Sequence, residues 1–224
     1  MIKAVIFDMD GLILDSERLS FLGWKNVEKS FDIEVSSEIY IETIGKNKEE
    51  IKDIFISYFS SDLDFERLYK KREKFIKNEI KKGFNLMKAG LNELLSFLSE
   101  KNIKKIIASS ANKNRIKYMC KTAKILENFD VIVSGQDIKK GKPAPDIFNL
   151  AVKKSSFSKD ECIVLEDSMN GVKAALSAGI KTIHIPDKSS LLFWTNELPK
   201  TDKKAVRMDS LFNVIPFIKK LNRE

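Results

Sequence analysis

Polar side chains that could do chemistry stand after four short apolar runs of this sequence. The runs are continuous in apolar, mostly β-branched residues, which is typical of strands buried on both faces of a sheet. Because the carboxyl ends of the strands share one edge in an open α/β sheet, we expect these side chains to converge there and bind a ligand. Asp8 and Asp10 follow KAVIF, Ser109 and Ser110 follow KKIIA, Lys142 lies in the GKPAPD segment after DVIV, and Glu166 and Asp167 end CIVLED.

The charges of this expected cluster need compensation. Up to four carboxylates would face the ammonium of Lys142, and each close pair of like charges costs about 4 kcal/mol at an effective dielectric of about 20. Oxygen ligands without imidazole or thiolate favour Mg²⁺, which is commonly held by one or two carboxylates and by phosphate oxygens of a substrate. Alternatively, these residues are ordinary strand-end loops and helix caps, since Asp167 precedes a predicted helix and Ser109 or Asn112 could cap another.

The histidine and cysteine content excludes several classes of site. Cys120 and Cys162 form no C-x-x-C pair and the chain has one histidine, so the sequence supports neither a disulfide scaffold nor a Cys/His metal module. His184 lies within the apolar run KTIHI, where we expect a packed core residue, and proton transfer is therefore assigned to carboxylates. Neither G-x-G-x-x-G nor G-x-S-x-G occurs, which removes the commonest dinucleotide and serine-hydrolase interpretations.

The formal charge of +8 does not indicate nucleic-acid binding. Only six of the 40 basic residues are arginine, and the lysines stand among acids, as in the segment 70–74 (KKREK), which is typical of a solvated helix face. No run of about eighteen apolar residues occurs, and Asp8 and Asp10 interrupt the N-terminal apolar segment early. We therefore expect a cytoplasmic monomer that binds a small molecule and neither nucleic acid nor membrane.

Strand-like and helix-like segments alternate along most of the chain, and this alternation predicts an α/β fold: a Rossmann-like, doubly wound parallel sheet with helices on both faces. From residue 16 to 87 only amphipathic helical patterns such as 65–80 occur. We therefore predict a catalytic core formed by residues 1–15 and 88–224 and a helical domain inserted at 16–87. The segment 187–203 is predicted to be a loop or a weak helix. The expected strands cover residues 3–7, 104–108, 130–133, 162–165 and 181–185.

Four segments resemble the motifs of the haloacid dehalogenase-like superfamily, and in order they span nearly the whole chain. The first, D-x-D-G-φ-φ-φ-D-[ST] with φ apolar, is followed at once by a helical insertion. This arrangement is similar to the branch that contains β-phosphoglucomutase and many sugar-phosphate phosphatases. The segments are DMDGLILDSE at 8–17, IIASSA at 106–111, GKPAPDIF at 141–148 and LEDSMNGVKAALSAG at 165–179.

The resemblance implies a role for each residue of the cluster. Asp8 would be the nucleophile that accepts the phosphoryl group as an aspartyl-phosphate, and Asp10 would protonate the leaving oxygen and then deprotonate the incoming nucleophile. Ser109 and the backbone N–H of Ser110 would hold phosphoryl oxygens. Lys142 would neutralise charge between the nucleophile and the phosphate.

The resemblance also implies a metal site and a cap. Mg²⁺ would lie on the carboxylate of Asp8, the backbone carbonyl of Asp10 and the side chain of Asp167, with Glu166 as an indirect or water-mediated partner. The helical insertion would close over the site as a cap and exclude water.

Residues of the insertion bear on the choice between phosphatase and mutase. Trp24 stands in register with β-phosphoglucomutases, but Ser20 stands where those mutases usually carry a histidine. Lys48 occupies the place where the mutases grip a distal phosphate with an arginine, and Arg72 is a second candidate for this contact. We assign Trp24, Lys48 and Arg72, together with Ser110, to substrate binding, although lysine lacks the fork of arginine. Alternatively, the two basic residues belong to a solvated helix face.

From this pattern we predict an Mg²⁺-dependent phosphatase of small phosphorylated metabolites, with sugar phosphates as substrates. The alternative is an isomerising β-phosphoglucomutase. Two further interpretations are an inactive module that binds a phosphorylated ligand and a metal-independent dehalogenase of the same fold. The pair Asp8 and Asp10 argues against the first, because carboxylates repel phosphate, and Asp167 argues against the second, because a dehalogenase would not need this metal ligand.

Overall fold

The computed structural model describes residues 1–44, 46, 48–187 and 204–223. These residues form two compact units: the first contains Met1–Asp15, 86–187 and 204–223, and the second contains Ser16–Asn85 apart from positions 45 and 47. Except for Asp187, the loop predicted at 187–203 lies outside the described residues. Among the helices that are described, none is long and apolar enough to cross a membrane.

The chain alternates between strands and helices outside the second unit. The strands are β1 Ala4–Phe7, β2 Lys104–Ser109, β3 Val131–Ser134, β4 Cys162–Glu166, β5 Lys181–His184 and β6 Ala205–Arg207. The helices are α1 Ser16–Phe31, α2 Ser37–Thr43, α3 Lys48–Tyr58, α4 Phe65–Lys81, α5 Leu91–Glu100, α6 Lys113–Thr122, α7 Asp146–Ser155, α8 Met169–Ser177 and α9 Val214–Asn222.

The first unit is built around a parallel sheet with the strand order β3-β2-β1-β4-β5-β6. Ala4 and Ile6 of β1 belong to a core that includes apolar residues of α7 and α8. Val5 and Phe7 point to the opposite face and are equally buried, because successive side chains of a strand alternate between faces. The sheet is thus buried on both faces and flanked by helices, and the predicted α/β fold is confirmed.

Strand β1 lies where the connections of the sheet turn to opposite sides. Its neighbour on one side is β2 and its neighbour on the other is β4, which follows β3 along the chain. Ligands of open α/β sheets bind beyond the carboxyl ends of the strands at such a switch point. Asp8 directly follows β1, so the strand order places it in the crevice expected to bind a ligand.

Strand β6 is the part of the described sheet that the sequence pattern does not predict. It has three residues, AVR, and none of them is buried. A short edge strand of this kind lacks the continuous apolar run that marks a strand buried on both faces. The other five strands fall on the predicted runs, with ends that differ by at most one residue.

The second unit is helical and has its own aromatic core. The ring centroids of Trp24 and Phe55 are 4.6 Å apart, and those of Phe55 and Phe65 are 5.7 Å apart. Leu68, one turn further along α4 from Phe65, is buried in the same core. The amphipathic pattern predicted at 65–80 is therefore the face with which α4 contributes to this core. That the unit serves as a cap stays a prediction.

The chain leaves the first unit after Asp15 and returns at Leu86. The N–H of Asp15 donates to the carbonyl of Leu86 at 2.7 Å, and Leu14 and Met87 form an antiparallel bridge. The ammonium of Lys88 lies 3.2 Å from a carboxylate oxygen of Asp15. Backbone and side-chain contacts therefore hold the two connecting segments side by side.

Candidate active site

Three neighbouring strands bring polar residues to one edge of the sheet. The register pairs Phe7 with Leu165, so Asp8 and Glu166, the next residues along β1 and β4, stand side by side. The N–H of Asp8 donates to the carbonyl of Leu165 at 3.1 Å, so the hydrogen bonds between β1 and β4 continue as far as Asp8. On the other side of β1, strand β2 ends at Ser109.

Asp8, Glu166 and Asp167 form a compact carboxylate cluster at this edge. One oxygen of each residue lies within 4.8 Å of the others, and the residues are 7%, 0% and 7% exposed. The ammonium of Lys142 contacts a carboxylate oxygen of Asp8 and lies 2.5 Å from Glu166 Oε1. The side chain of Lys142 is also buried, so three carboxylates and one ammonium share a space with little water.

Burial and charge in this cluster act in opposite directions. Burial raises the pKa of Asp8, the neighbouring acids Glu166 and Asp10 add to that effect, and Lys142 lowers it; the net change is upward, to about 7. Burial opposes the charge of Lys142, but the attraction of Asp8 and Glu166 outweighs it and raises the pKa of the amine. The amine therefore stays charged, and the carboxylates carry an excess of negative charge that a cation would relieve.

Glu166 is held in place by the first turn of α8. Its Oε2 accepts hydrogen bonds from the N–H of Ser168 at 2.8 Å and from the hydroxyl at 3.0 Å. The Ser168 hydroxyl oxygen accepts in turn from the N–H of Gly171 at 3.1 Å and caps the helix. A Cβ atom at position 171 would lie 1.7 Å from Glu166 Oε1, so only glycine lets the helix approach the carboxylate this closely.

Gly11 and His184 both approach Asp167 closely, the first at its side chain and the second at its backbone. A Cβ atom at Gly11 would lie 2.2 Å from Asp167 Oδ2, and Gly11 has a φ of +80°, which favours glycine. Nε2 of His184 lies 2.9 Å from the backbone carbonyl of Asp167. Burial lowers the pKa of His184, which keeps the imidazole neutral. The prediction that His184 is a packed core residue is confirmed, while its contact with Asp167 was not predicted.

The two serines lie between β2 and α6. Ser109 is buried, and its hydroxyl oxygen accepts from the N–H of Ala111 at 3.1 Å, whereas Ser110 is exposed. Asn112 caps α6 by accepting from the N–H of Arg115 at 2.9 Å. Ser109 and Asn112 were the two residues considered as caps, and the structure shows that Asn112 caps α6. The phosphate contacts of the serines stay a prediction.

Asp10 has a cationic neighbour that sequence reasoning missed. Nη2 of Arg115 donates to Asp10 Oδ1 at 2.7 Å, and both residues belong to the first unit. Arg115 stands in the first turn of α6, directly after the serine segment. In the sequence it looks like one more basic residue of a solvated helix, because nothing local links it to a residue 105 positions away.

A second unpredicted ion pair lies close to the cluster. Lys88 contacts a carboxylate oxygen of Asp187 in addition to that of Asp15, and Asp187 is almost fully buried. A Cβ atom at Gly11 would be 3.5 Å from Asp187 Oδ2, so this carboxylate lies on the side of Gly11 that also faces Asp167. No local spacing could indicate a contact between residues 99 positions apart.

Trp24 and Arg72 pack against each other inside the second unit. Trp24 is 0% exposed, which is the environment of a core residue and not that of a substrate contact. The guanidinium carbon of Arg72 lies 4.2 Å from the ring centroid of Trp24, and Arg72 donates to the Ser20 hydroxyl and to Glu73, both at 2.6 Å. The expected substrate contact of Trp24 therefore does not fit the structure, because the side chain presents no surface. The contact of Arg72 with a substrate stays a prediction.

Lys48 is partly exposed on the second unit. Its ammonium lies 2.6 Å from a carboxylate oxygen of Glu66 and 5.3 Å from the ring centroid of Tyr69. These three residues line an open cavity of about 550 Å³. Gly45 and Asn47, which precede Lys48 in the sequence, lie outside the described residues, and the substrate contact of Lys48 stays a prediction.

Comparison with known proteins agrees with this geometry. The profile of the haloacid dehalogenase-like hydrolases matches residues 5–185, which include all four motif segments. The chain belongs to the haloacid dehalogenase-like hydrolase family. The resemblance stated from the sequence is thereby confirmed.

Relatives in the haloacid dehalogenase-like hydrolase family cover most of this chain. A phosphorylated carbohydrates phosphatase of Thermotoga maritima is 32% identical over 185 residues, which are 81% of this chain and 84% of the relative. A beta-phosphoglucomutase of Bacillus subtilis is 30% identical over 196 residues, 85% of this chain and 86% of the relative. A solved Thermotoga maritima structure, provisionally assigned as a beta-phosphoglucomutase, has a TM-score of 0.78 at 26% identity and covers 98% of this chain and 100% of its own.

Proposed function

We propose that this haloacid dehalogenase-like hydrolase is an Mg²⁺-dependent phosphatase that hydrolyses small phosphorylated metabolites, with sugar phosphates as its substrates. The observation that carries the proposal is the contact of the Asp8 carboxylate with Lys142 beside Glu166 and Asp167. A nucleophile, a cation and an oxygen donor set are the parts that phosphoryl transfer requires. The name of the Thermotoga maritima relative, a phosphatase of phosphorylated carbohydrates, supports the substrate class.

The carboxylate cluster fits a magnesium ion. Its donors are all oxygen, three oxygens lie within 4.8 Å of one another, and the cluster has more negative than positive charge. Asp8 and Asp167 would hold the ion, and the backbone carbonyl of Asp10 would be a further ligand. Glu166, which contacts Lys142 and Ser168, would act indirectly. When bound, Mg²⁺ offsets negative charge on the phosphoryl oxygens.

The residues of the first unit supply the two chemical steps. Asp8 attacks phosphorus in line, the bond to the leaving oxygen breaks, and Asp10 gives that oxygen a proton. Asp10 then takes a proton from water, whose oxygen attacks the same phosphorus and releases Asp8 and inorganic phosphate. Lys142, Ser109 and the N–H of Ser110 hold phosphoryl oxygens in both steps. The helical unit keeps its proposed role as a cap, and the chain is proposed to act as a cytoplasmic monomer.

The alternative function is that of a β-phosphoglucomutase. The Bacillus subtilis relative bears that name, which favours keeping this candidate. Ser20, where the mutases usually carry a histidine, accepts a hydrogen bond from Arg72 and supplies no imidazole, which favours hydrolysis. Both activities share the phosphorylated Asp8 and differ in whether water or a sugar hydroxyl attacks it.

A substrate panel distinguishes the two functions. The protein is incubated with sugar phosphates with and without Mg²⁺, and free phosphate is measured. We expect Mg²⁺-dependent release from at least one ester. Conversion of β-glucose 1-phosphate into glucose 6-phosphate in the presence of a bisphosphate activator, without comparable phosphate release, would instead identify a mutase.

Binding of Mg²⁺ is expected to stabilise the fold more at pH 8 than at pH 5.5. A ligand of the folded state at a hundredfold excess over its Kd adds about 2.7 kcal/mol, which for a chain of this size raises Tm by about 5–10 °C. Below about 7, its pKa in the ion-free site, Asp8 is protonated, and protons compete with the ion. The shift in Tm should therefore shrink as the pH falls.

The same pKa has the opposite consequence in the ion-free protein. An ordinary aspartate titrates at 3.8, so between that value and about 7 the folded state holds a proton that the unfolded state has lost. Stability without Mg²⁺ should therefore fall as the pH rises through this window. Differential scanning fluorimetry with a chelator and with Mg²⁺ measures both trends, and an equal Mg²⁺ shift at both pH values would contradict the assignment of Asp8 as a ligand.

A further inference from the structure

The carboxylate assigned to the leaving group has an arginine beside it. Nη2 of Arg115 lies 2.7 Å from Asp10 Oδ1, while the side chains of Arg115 and Asp10 are 51% and 22% exposed. The backbone of Arg115 is fixed, because its N–H donates to the Asn112 cap at 2.9 Å. The residue is thus anchored through its backbone in the first turn of α6, while about half of its side chain is open to solvent.

This position brings the guanidinium within reach of a substrate. If Asp10 takes the leaving oxygen, that oxygen and Nη2 of Arg115 are both hydrogen-bonded to the same carboxyl group, so they lie at most about two hydrogen-bond lengths and the width of the carboxyl group apart. A guanidinium carries five N–H donors in a planar array that matches the two oxygens of a carboxylate or phosphate. The single hydrogen bond from Nη2 to Asp10 Oδ1 shows that the guanidinium already binds a carboxylate oxygen in this place.

We infer that Arg115 is a specificity-determining residue that binds a second anionic group, a phosphate or a carboxylate, on the leaving-group side of the substrate. The inference rests on the proposed function and adds a substrate class to it: phosphate esters whose leaving group is itself an anion. The anion of the substrate would replace Asp10 as the partner of Arg115, and the carboxyl of Asp10 would then turn to the leaving oxygen. Discrimination among substrates would in that case lie partly in the first unit and not only in the helical unit.

The test compares pairs of substrates that differ in the second anion. Glucose 1,6-bisphosphate is compared with glucose 1-phosphate, and 6-phosphogluconate with glucose 6-phosphate, so that the two pairs separate phosphate from carboxylate recognition. In Arg115→Gln the ratio of kcat/KM for the member with the second anionic group over the member without it should fall at least about tenfold in one of the pairs, mainly through KM, because a charge-assisted contact is lost. Arg115→Lys should recover part of that ratio as a point charge.

A neighbouring lysine provides the matched control. Lys117 lies on the same helix and is exposed, so Lys117→Gln removes one positive charge at a similar place and should leave both ratios unchanged. An equal loss of kcat/KM for both members of each pair in Arg115→Gln would overturn the inference, because it would show that Arg115 acts only through Asp10. Unchanged ratios would overturn it as well.

A binding measurement separates this inference from the proposed function. In an Asp8→Asn background, calorimetry gives the Kd of glucose 1,6-bisphosphate and of 6-phosphogluconate without turnover. Adding Arg115→Gln should weaken at least one of these Kd values about tenfold or more. If no ester were hydrolysed by the parent protein but this loss of affinity occurred, the proposed function would fail and the anion site would stand. Equal Kd values in Asp8→Asn and in the double variant with Arg115→Gln would refute the site, whatever the activity.

Discussion

Replacing Asp8 by asparagine should lower kcat for phosphate release by at least about 10³-fold while the protein stays folded. The amide of asparagine has no anionic oxygen to attack phosphorus, so no aspartyl-phosphate can form. Because Asp8→Asn also removes one of three buried carboxylates that repel each other, Tm in the presence of a chelator should not fall. Steady-state kinetics and thermal unfolding measure both quantities on the same preparation.

Asp160→Asn is the matched control for this substitution. Asp160 is an exposed residue of the first unit, so the same chemical change there should leave turnover within about twofold of the parent. Brief incubation with substrate followed by intact-mass measurement should show a phosphorylated form of the parent and none of the variant. Turnover close to that of the parent in Asp8→Asn would remove Asp8 from the role of nucleophile and with it the proposed mechanism.

Lys142→Met is expected to lower kcat by about 10²- to 10³-fold and, unlike Asp8→Asn, to destabilise the fold. The methionine keeps an unbranched stem near the ring of Phe148, whose centroid lies 5.0 Å from the Lys142 ammonium. The charge is lost, and Asp8 and Glu166 are left in a buried site without the cation that contacts them. Removal of one partner of a buried ion pair costs about 3–5 kcal/mol.

The different changes in Tm expected of the two variants make the pair informative. A loss of activity caused by general misfolding would lower Tm in both, whereas the charge balance described here predicts a drop in Lys142→Met alone. Mg²⁺ should recover more of the stability of Lys142→Met than of the parent, because the ion supplies the missing positive charge. Lys139→Met, at an exposed site a few residues earlier, should change neither Tm nor kcat.

The central part of the sheet and the carboxylate cluster follow from the sequence because local patterns specify them. The runs ending at Phe7 and Leu165 are buried on both faces, and once they pair in parallel, the residues that follow must meet. The glycine at 171 was part of a motif, but its reason, the 1.7 Å approach of a Cβ atom to Glu166, is visible only in three dimensions. Strand β6 escaped prediction because its three residues are not buried.

Contacts between charged residues that lie far apart in the sequence are the part that the sequence could not indicate. The pairs Arg115–Asp10 and Lys88–Asp187 join charged residues that have no periodic relation to each other. The substrate contact predicted for Trp24 fails for another reason. The register of a residue with its counterpart in a related protein does not give the direction of its side chain. Trp24 stands three residues before Val27 on α1, which is the spacing of the buried stripe of an amphipathic helix, and this spacing favours the core position that the structure gives it.

The bridge between Leu14 and Met87 has a consequence for how such a protein can change. The two ends of the inserted helical segment are already as close as the partners in a hairpin, and the free energy of closing a loop grows only with the logarithm of its length. A quite different segment, or a short turn, could therefore be grafted between Asp15 and Leu86 without shifting the register that brings Asp8 beside Glu166. Evolution and protein engineers alike can exchange this module while the phosphoryl-transfer chemistry proposed for the sheet edge is inherited intact.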